Sequence, residues 1–81
     1  MVDIERLRVI FRKSLEVDAD FPVDSLEYRG IEKWDSLAHM SLIAALEDEF
    51  DVMIDIDDVI DMSSFAKARE ILGKLGVEFI G

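Results

Sequence analysis

The sequence predicts an all-α fold, a small four-helix bundle of three long helices and a short third one, with a long loop between the first two. Three observations predict it. Apolar residues recur at spacings of three and four along three separate stretches, the pattern of helices with one buried face. Residues suited to capping (Asp3, Asp35, and Ser63 or Ser64) stand just ahead of those stretches. With 81 residues there is room for one domain, residues 1–81, and the 51 % apolar content gives it a core.

The first helix is expected over residues 3–16. Ile4, Leu7, Ile10, Phe11 and Leu15 share one stripe, and Arg6, Arg8, Arg12 and Lys13 lie off it. Asp3 is its N-cap, and Glu5 sits in the first turn, where the helix dipole favours an acid. A connection over residues 17–35 follows, broken by Phe21-Pro22 and Arg29-Gly30. So long a loop in a small domain must pack or serve a function. Phe21, Val23, Leu26, Tyr28, Ile31 and Trp34 are its expected anchors, with a short helical turn expected at 24–28.

The second helix is expected over 36–50, capped by Asp35, with Leu37, Met40, Ile43, Leu46 and Phe50 as its buried stripe and Leu42 at the edge. Ala44 and Ala45 are expected to let another helix approach closely. Val52-Met53-Ile54 reads as a buried connector. Residues 55–61 form a helix too short to stand alone, so Ile56, Val59 and Ile60 are expected to pack it down. The last helix is expected over 64–75, with Phe65, Ala68, Ile71, Leu72 and Leu75 inward and Gly76 as its stop. The tail from Val77 is apolar enough to dock back.

Charge narrows the function. The formal net charge is −10, which disfavours nucleic acid and anionic membrane, because phosphate recognition needs Lys and Arg. No apolar run is long enough to span or insert into a bilayer, and the first residues lack a signal-peptide core. Without Cys there are no disulfides and no thiolate metal sites, which fits a reducing, cytoplasmic setting. A hydrolase is disfavoured: only one His exists, and no nucleophile, base and orienting group stand together.

The informative stretch is Trp34-Asp35-Ser36-Leu37-Ala38-His39-Met40. It sets a serine hydroxyl at a helix entry, where free N–H groups and the dipole favour a phosphate. Leu37 is expected to turn inward and anchor the turn. From Trp34 to Ala66 the chain carries nine acids and no Lys or Arg, a one-signed surface suited to basic partners. Glu47, Asp48, Asp55, Asp57 and Asp58 are the candidate partner-binding residues. Asp55-x-Asp57-Asp58 lacks the Gly and the distant Glu of a calcium loop, so no metal site is assigned. Trp34 is expected to anchor the loop on the core, and His39 to face solvent or a partner. Met40, Ile43, Met53, Ile56, Val59, Ile60 and Met62 are candidates to line a cavity between the second and third helices.

With Asp35-Ser36-Leu37, the helix Leu42-Ile43-Ala44-Ala45-Leu46-Glu47-Asp48-Glu49-Phe50 and the acidic Ile54-Asp55-Ile56-Asp57-Asp58, the chain resembles the acyl carrier protein family along essentially its whole length. The resemblance implies that Ser36, flanked by Asp35 and Leu37, carries a 4'-phosphopantetheine arm whose thiol holds acyl groups as thioesters. It implies a carrier that is not itself an enzyme. The implied partners are a phosphopantetheinyl transferase, which uses coenzyme A and Mg2+, and acyl-transferring, synthase or ligase enzymes with basic docking surfaces. The carrier would act as a monomer. Asp24-Ser25-Leu26 repeats the triplet in the loop, with no sustained helix after it, and reads as a turn or cap. Trp-Asp-Ser-Leu-x-His looks more like carriers of specialised pathways, such as polyketide metabolism, than of bulk fatty-acid synthesis. An aminoacyl or peptidyl carrier, and an unmodified acidic interaction module with the same fold, are the alternatives.

Overall fold

The computed structural model describes residues 1–81. The order is β1 (Val2–Asp3), α1 (Ile4–Leu15), α2 (Ser36–Phe50), α3 (Ile56–Asp61), α4 (Phe65–Lys74) and β2 (Phe79–Ile80). Helix α1 starts where expected: the Asp3 carboxylate accepts the Glu5 N–H at 3.0 Å. It ends at Glu16, whose left-handed backbone (φ 55°) turns its N–H back to the Lys13 carbonyl at 3.3 Å. Ile4, Leu7, Ile10, Phe11 and Leu15 are all buried, so the stripe read from spacing is the one the fold uses.

The long loop is clamped at both flanks. On the α1 side, Arg8 grips Asp24 through two bonds of 2.8 and 2.9 Å, and Arg12 donates to the Phe21 carbonyl at 3.0 Å. On the α4 side, Tyr28 N–H donates to the Ser63 carbonyl (2.8 Å) and Phe65 N–H to the Leu26 carbonyl (3.1 Å), an isolated antiparallel bridge. The helical turn expected at 24–28 does not form, because those backbone groups bond across to the start of α4 instead. Gly30 closes the next turn: its N–H donates to the Glu27 carbonyl at 2.7 Å, and a Cβ there would stand 2.8 Å from that oxygen. Val23, Leu26 and Trp34 are buried. The Trp34 ring meets Phe11 edge-on at 5.5 Å, and Phe11 meets Phe65 at 4.9 Å, so α1, the loop and α4 join in one core.

Helix α2 is rotated from the expected orientation. Its buried residues are His39, Leu42, Ile43 and Leu46, so Leu42 is central and not marginal. Leu37 and Met40 are exposed, at 78 % and 54 %, and Phe50 is only partly buried. Ala45 packs against the core, but Ala44 faces out. The physical reason is that α2 is apolar on nearly every side, so spacing alone could not choose its inner face. Burial of His39 with Trp34 chooses it.

Past α2, only Ile54 of the expected connector is buried. Met53 stands out at 84 % exposure. Of the three residues expected to hold α3, only Val59 does so; Ile56 (69 %) and Ile60 (76 %) are exposed. Met62, just past the helix, is buried in their place. Helix α4 is capped by Ser64, whose Oγ accepts the Lys67 N–H at 3.0 Å, and it buries Phe65, Ala68, Ile71 and Leu72. After Gly76 (φ 98°) the tail docks as expected: Val77 is buried, and β2 pairs in parallel with β1, Val2 opposite Phe79 and Asp3 opposite Ile80.

Candidate functional site

Ser36 is the first residue of α2 and is exposed. Asp35 ahead of it has extended backbone, and its Oδ1 accepts the Ala38 N–H at 2.9 Å. The Asp35 carbonyl takes the His39 N–H at 2.9 Å. The N–H groups of Ser36 and Leu37 have no acceptor within the chain, so two donors of the first turn stay open beside the hydroxyl. Leu37 does not anchor this turn. It projects to solvent next to the serine, and the anchoring falls to Trp34 on one side and His39 on the other, both buried.

The Ser36 Oγ lies 3.1 Å from the Tyr28 hydroxyl. That hydrogen bond, and secondarily the nearby Arg29, hold the Tyr28 phenol below its ordinary pKa. The Arg29 guanidinium lies 5.6 Å from the centre of the Tyr28 ring. Ser36 opens onto a cleft of about 320 Å³ lined by Tyr28, His39, Met40, Val59, Ile60, Met62 and Ser63. The apolar wall is shared between α2 and α3. Four of the seven residues expected to line such a cavity are there; Ile43 is in the core, and Met53 and Ile56 face solvent.

His39 is the main departure. It was expected to face solvent or a partner, and it is buried, accepting the Trp34 indole N–H at 3.0 Å and bonded to the Val59 carbonyl at 2.8 Å. Tyr28, His39 and Ser63 are site residues that the sequence reading missed as such. Tyr28 and Ser63 arrive through loop geometry with no spacing signal. For His39 a signal existed: a buried Trp needs an acceptor for its N–H, and an imidazole five residues on is within reach.

The acidic candidates divide into two kinds. Glu47 is half-buried, and its carboxylate accepts the Ile54 N–H at 2.9 Å, closing the turn after α2. Asp58 accepts from the Lys74 ammonium at 3.0 Å. Asp48, Asp55 and Asp57 are exposed and make no ion pair within the chain, and Asp55 makes no capping bond. No three His, Asp or Glu side chains are grouped to hold a metal ion. No helix is long and apolar enough to cross a membrane. Ser25 is exposed, but its neighbours Asp24 and Leu26 are committed to Arg8 and to the core.

No protein-family model matches the chain, and no curated protein does. Among solved structures it is similar to the solution NMR structure of a holo acyl carrier protein from Geobacter metallireducens. The TM-score is 0.77 at 24 % identity, over 93 % of this chain and 86 % of that one. The chain therefore has the acyl carrier protein fold.

Proposed function

We propose that the chain is an acyl carrier protein, not itself an enzyme, and that Ser36 is the attachment point of a 4'-phosphopantetheine arm. The reading rests above all on one observation. The exposed Ser36 hydroxyl stands at the first turn of α2 and opens on a cleft walled by Met40, Val59, Ile60 and Met62, in a chain with this fold. The solved structure it resembles is a holo form.

The residues present fit such a group. A phosphate on Ser36 Oγ finds the free N–H groups of Ser36 and Leu37 and the Tyr28 hydroxyl as donors. Asp35 fixes the serine by capping the helix. When bound, the arm supplies the thiol that this Cys-free chain lacks, and so the means of holding acyl groups as thioesters. The chain's own residues orient the arm and present it; none is needed as an acid or a base.

Partners would dock on the faces around the serine. Leu37, Met53 and Ile56 offer exposed apolar area, and Asp48, Asp55 and Asp57 offer unpaired charge. Basic surfaces on a phosphopantetheinyl transferase and on acyl-transferring, synthase or ligase enzymes complement them, speeding encounter more than deepening affinity. Glu47 and Asp58, engaged within the chain, contribute to that field with less freedom to reach a partner. A monomer acting in the cytoplasm, serving a specialised pathway such as polyketide assembly, completes the reading.

The test is intact mass after incubation with coenzyme A, Mg2+ and a broad-specificity phosphopantetheinyl transferase. One phosphopantetheine increment is expected in the parent chain and in Ser25→Ala, and none in Ser36→Ala. An increment that survives in Ser36→Ala removes the assignment. A folded chain that is never loaded, beside a carrier that is, points to an unmodified interaction module.

A further inference from the structure

An indole N–H can only donate, so the His39 Nδ1 facing it at 3.0 Å must present a lone pair. In the neutral ring the proton is then on Nε2, 2.8 Å from the Val59 carbonyl, to which it donates. Both ring nitrogens are used, and only one tautomer allows it. The ring is further held by stacking on Trp34 at 6.0 Å and by the edge of Tyr28 at 5.3 Å.

The Val59 carbonyl needs this partner. Within a helix it would accept from the N–H of Ser63, but that N–H turns to the Asp61 carbonyl at 2.8 Å. His39 thus satisfies an orphan carbonyl at the end of α3. It also makes the one side-chain hydrogen bond between α2 and α3. Little else joins them. Helix α3 has six residues and one buried side chain, and its N-cap side chain makes no capping bond. Its ion pairs, Asp58–Lys74 and Asp61–Lys67, reach towards α4 instead.

We propose that His39 is the positioning residue of the Ser36 site: locked as the Nε2–H tautomer by Trp34, it holds the end of α3 against α2 and keeps the cleft beside the serine formed. Its functional meaning rests on the carrier reading of Ser36. A second proton on the ring goes to Nδ1, where it meets the Trp34 N–H, two donors with nothing between them to accept. Around the ring, the loop contributes the Tyr28 phenol, and the N-cap of α2 is Asp35, engaged with the Ala38 N–H. From α3 come Asp58 and Asp61, each paired with a lysine. No carboxylate bonds the ring.

The chain holds a single His and a single Trp, so their ring signals need no disentangling. The experiment is NMR on the unmodified protein, reading ring-nitrogen shifts and the amide protection of α3. Nitrogen shifts are expected to report a protonated Nε2 and a bare Nδ1 at neutral pH. Two variants divide the roles: His39→Gln retains a donor near the Nε2 position, and His39→Asn retains an acceptor near Nδ1. Protection of α3 is expected to fall about tenfold in His39→Asn, the factor one net hydrogen bond carries, and to be largely retained in His39→Gln. A ring protonated on Nδ1 at neutral pH overturns the proposal, as does equal protection in His39→Asn and the parent. The tautomer reading needs no variant, so a variant that fails to fold does not shelter the idea. None of these readouts requires loading, so a chain that is never modified sinks the carrier reading and leaves them unchanged.

Discussion

Two leucines on α2 have opposite roles. Leu42 is wholly buried, and truncating it to Ala is expected to cost about 2–5 kcal/mol, the usual range for a core leucine. Leu37 is 78 % exposed, so Leu37→Ser is expected to move stability by no more than about 0.5 kcal/mol. On the proposed carrier reading, the same change is expected to raise the KM of a phosphopantetheinyl transferase for the chain. Urea unfolding and loading kinetics on both variants check this, and a loss of stability in Leu37→Ser comparable to that of Leu42→Ala would mean that Leu37 is packed. Spacing could not separate the two residues. Leu37, Met40 and Leu42 sit on a helix with apolar residues on almost every side, where no stripe stands out. On α1, where charged residues fill the outer face, the same reading found all five buried positions.

The loop between α1 and α2 and the short helix α3 are the elements whose stability is least intrinsic. The loop's Asp24-Ser25-Leu26 looked like a second copy of the serine motif. Its Asp24 is the acceptor of a two-pronged Arg8 bond, and its Leu26 is core. The hydrogen bonds from Arg8 hold the Asp24 carboxyl below its ordinary pKa. A depressed folded-state pKa means that the bond's contribution is fully present above the unfolded carboxylate value, near pH 4, and is lost as pH falls through the folded one. Asp24→Asn is accordingly expected to be less stable than the parent at neutral pH and to approach it in acid. Thermal melts from about pH 7 to about pH 2 check it, and a constant gap across that range counts against the clamp. The length of the loop and its apolar anchors were legible in the sequence. Its bridge to α4 was not, since a single pair of backbone contacts leaves no periodic trace. For α3, the helix was legible in the sequence but its face was not: Ile56 and Ile60 stay in water, and Val59 and Met62 hold the helix down.

Across the whole molecule, charge is the dominant imbalance. Arg6, Arg8, Arg12, Lys67 and Lys74 all pair with acids, Arg6 with Glu49, and the net charge is still −10. Exposed pairs are each worth about 0–1 kcal/mol and weaken in salt. Repulsion among the many unpaired acids weakens too, because about 0.1 M salt screens beyond ~10 Å. With acids in such excess the second effect wins, so raising monovalent salt is expected to raise the melting temperature by a few degrees; a fall would show that the pairs matter more than the repulsion. That charge and the helix count could be read in the sequence, whereas the joining of β1 to β2 could not, since two-residue strands are too short for alternation to show. Their parallel register leaves Gly81 beside Ile4, with Met1 roughly 10 Å further back along the strand. A few residues of linker would bridge that gap at small loop-closure cost, making the backbone a ring. Cut again between Asp18 and Asp20, such a ring would list its helices in a new order around the same core, and the serine would keep its place against α3.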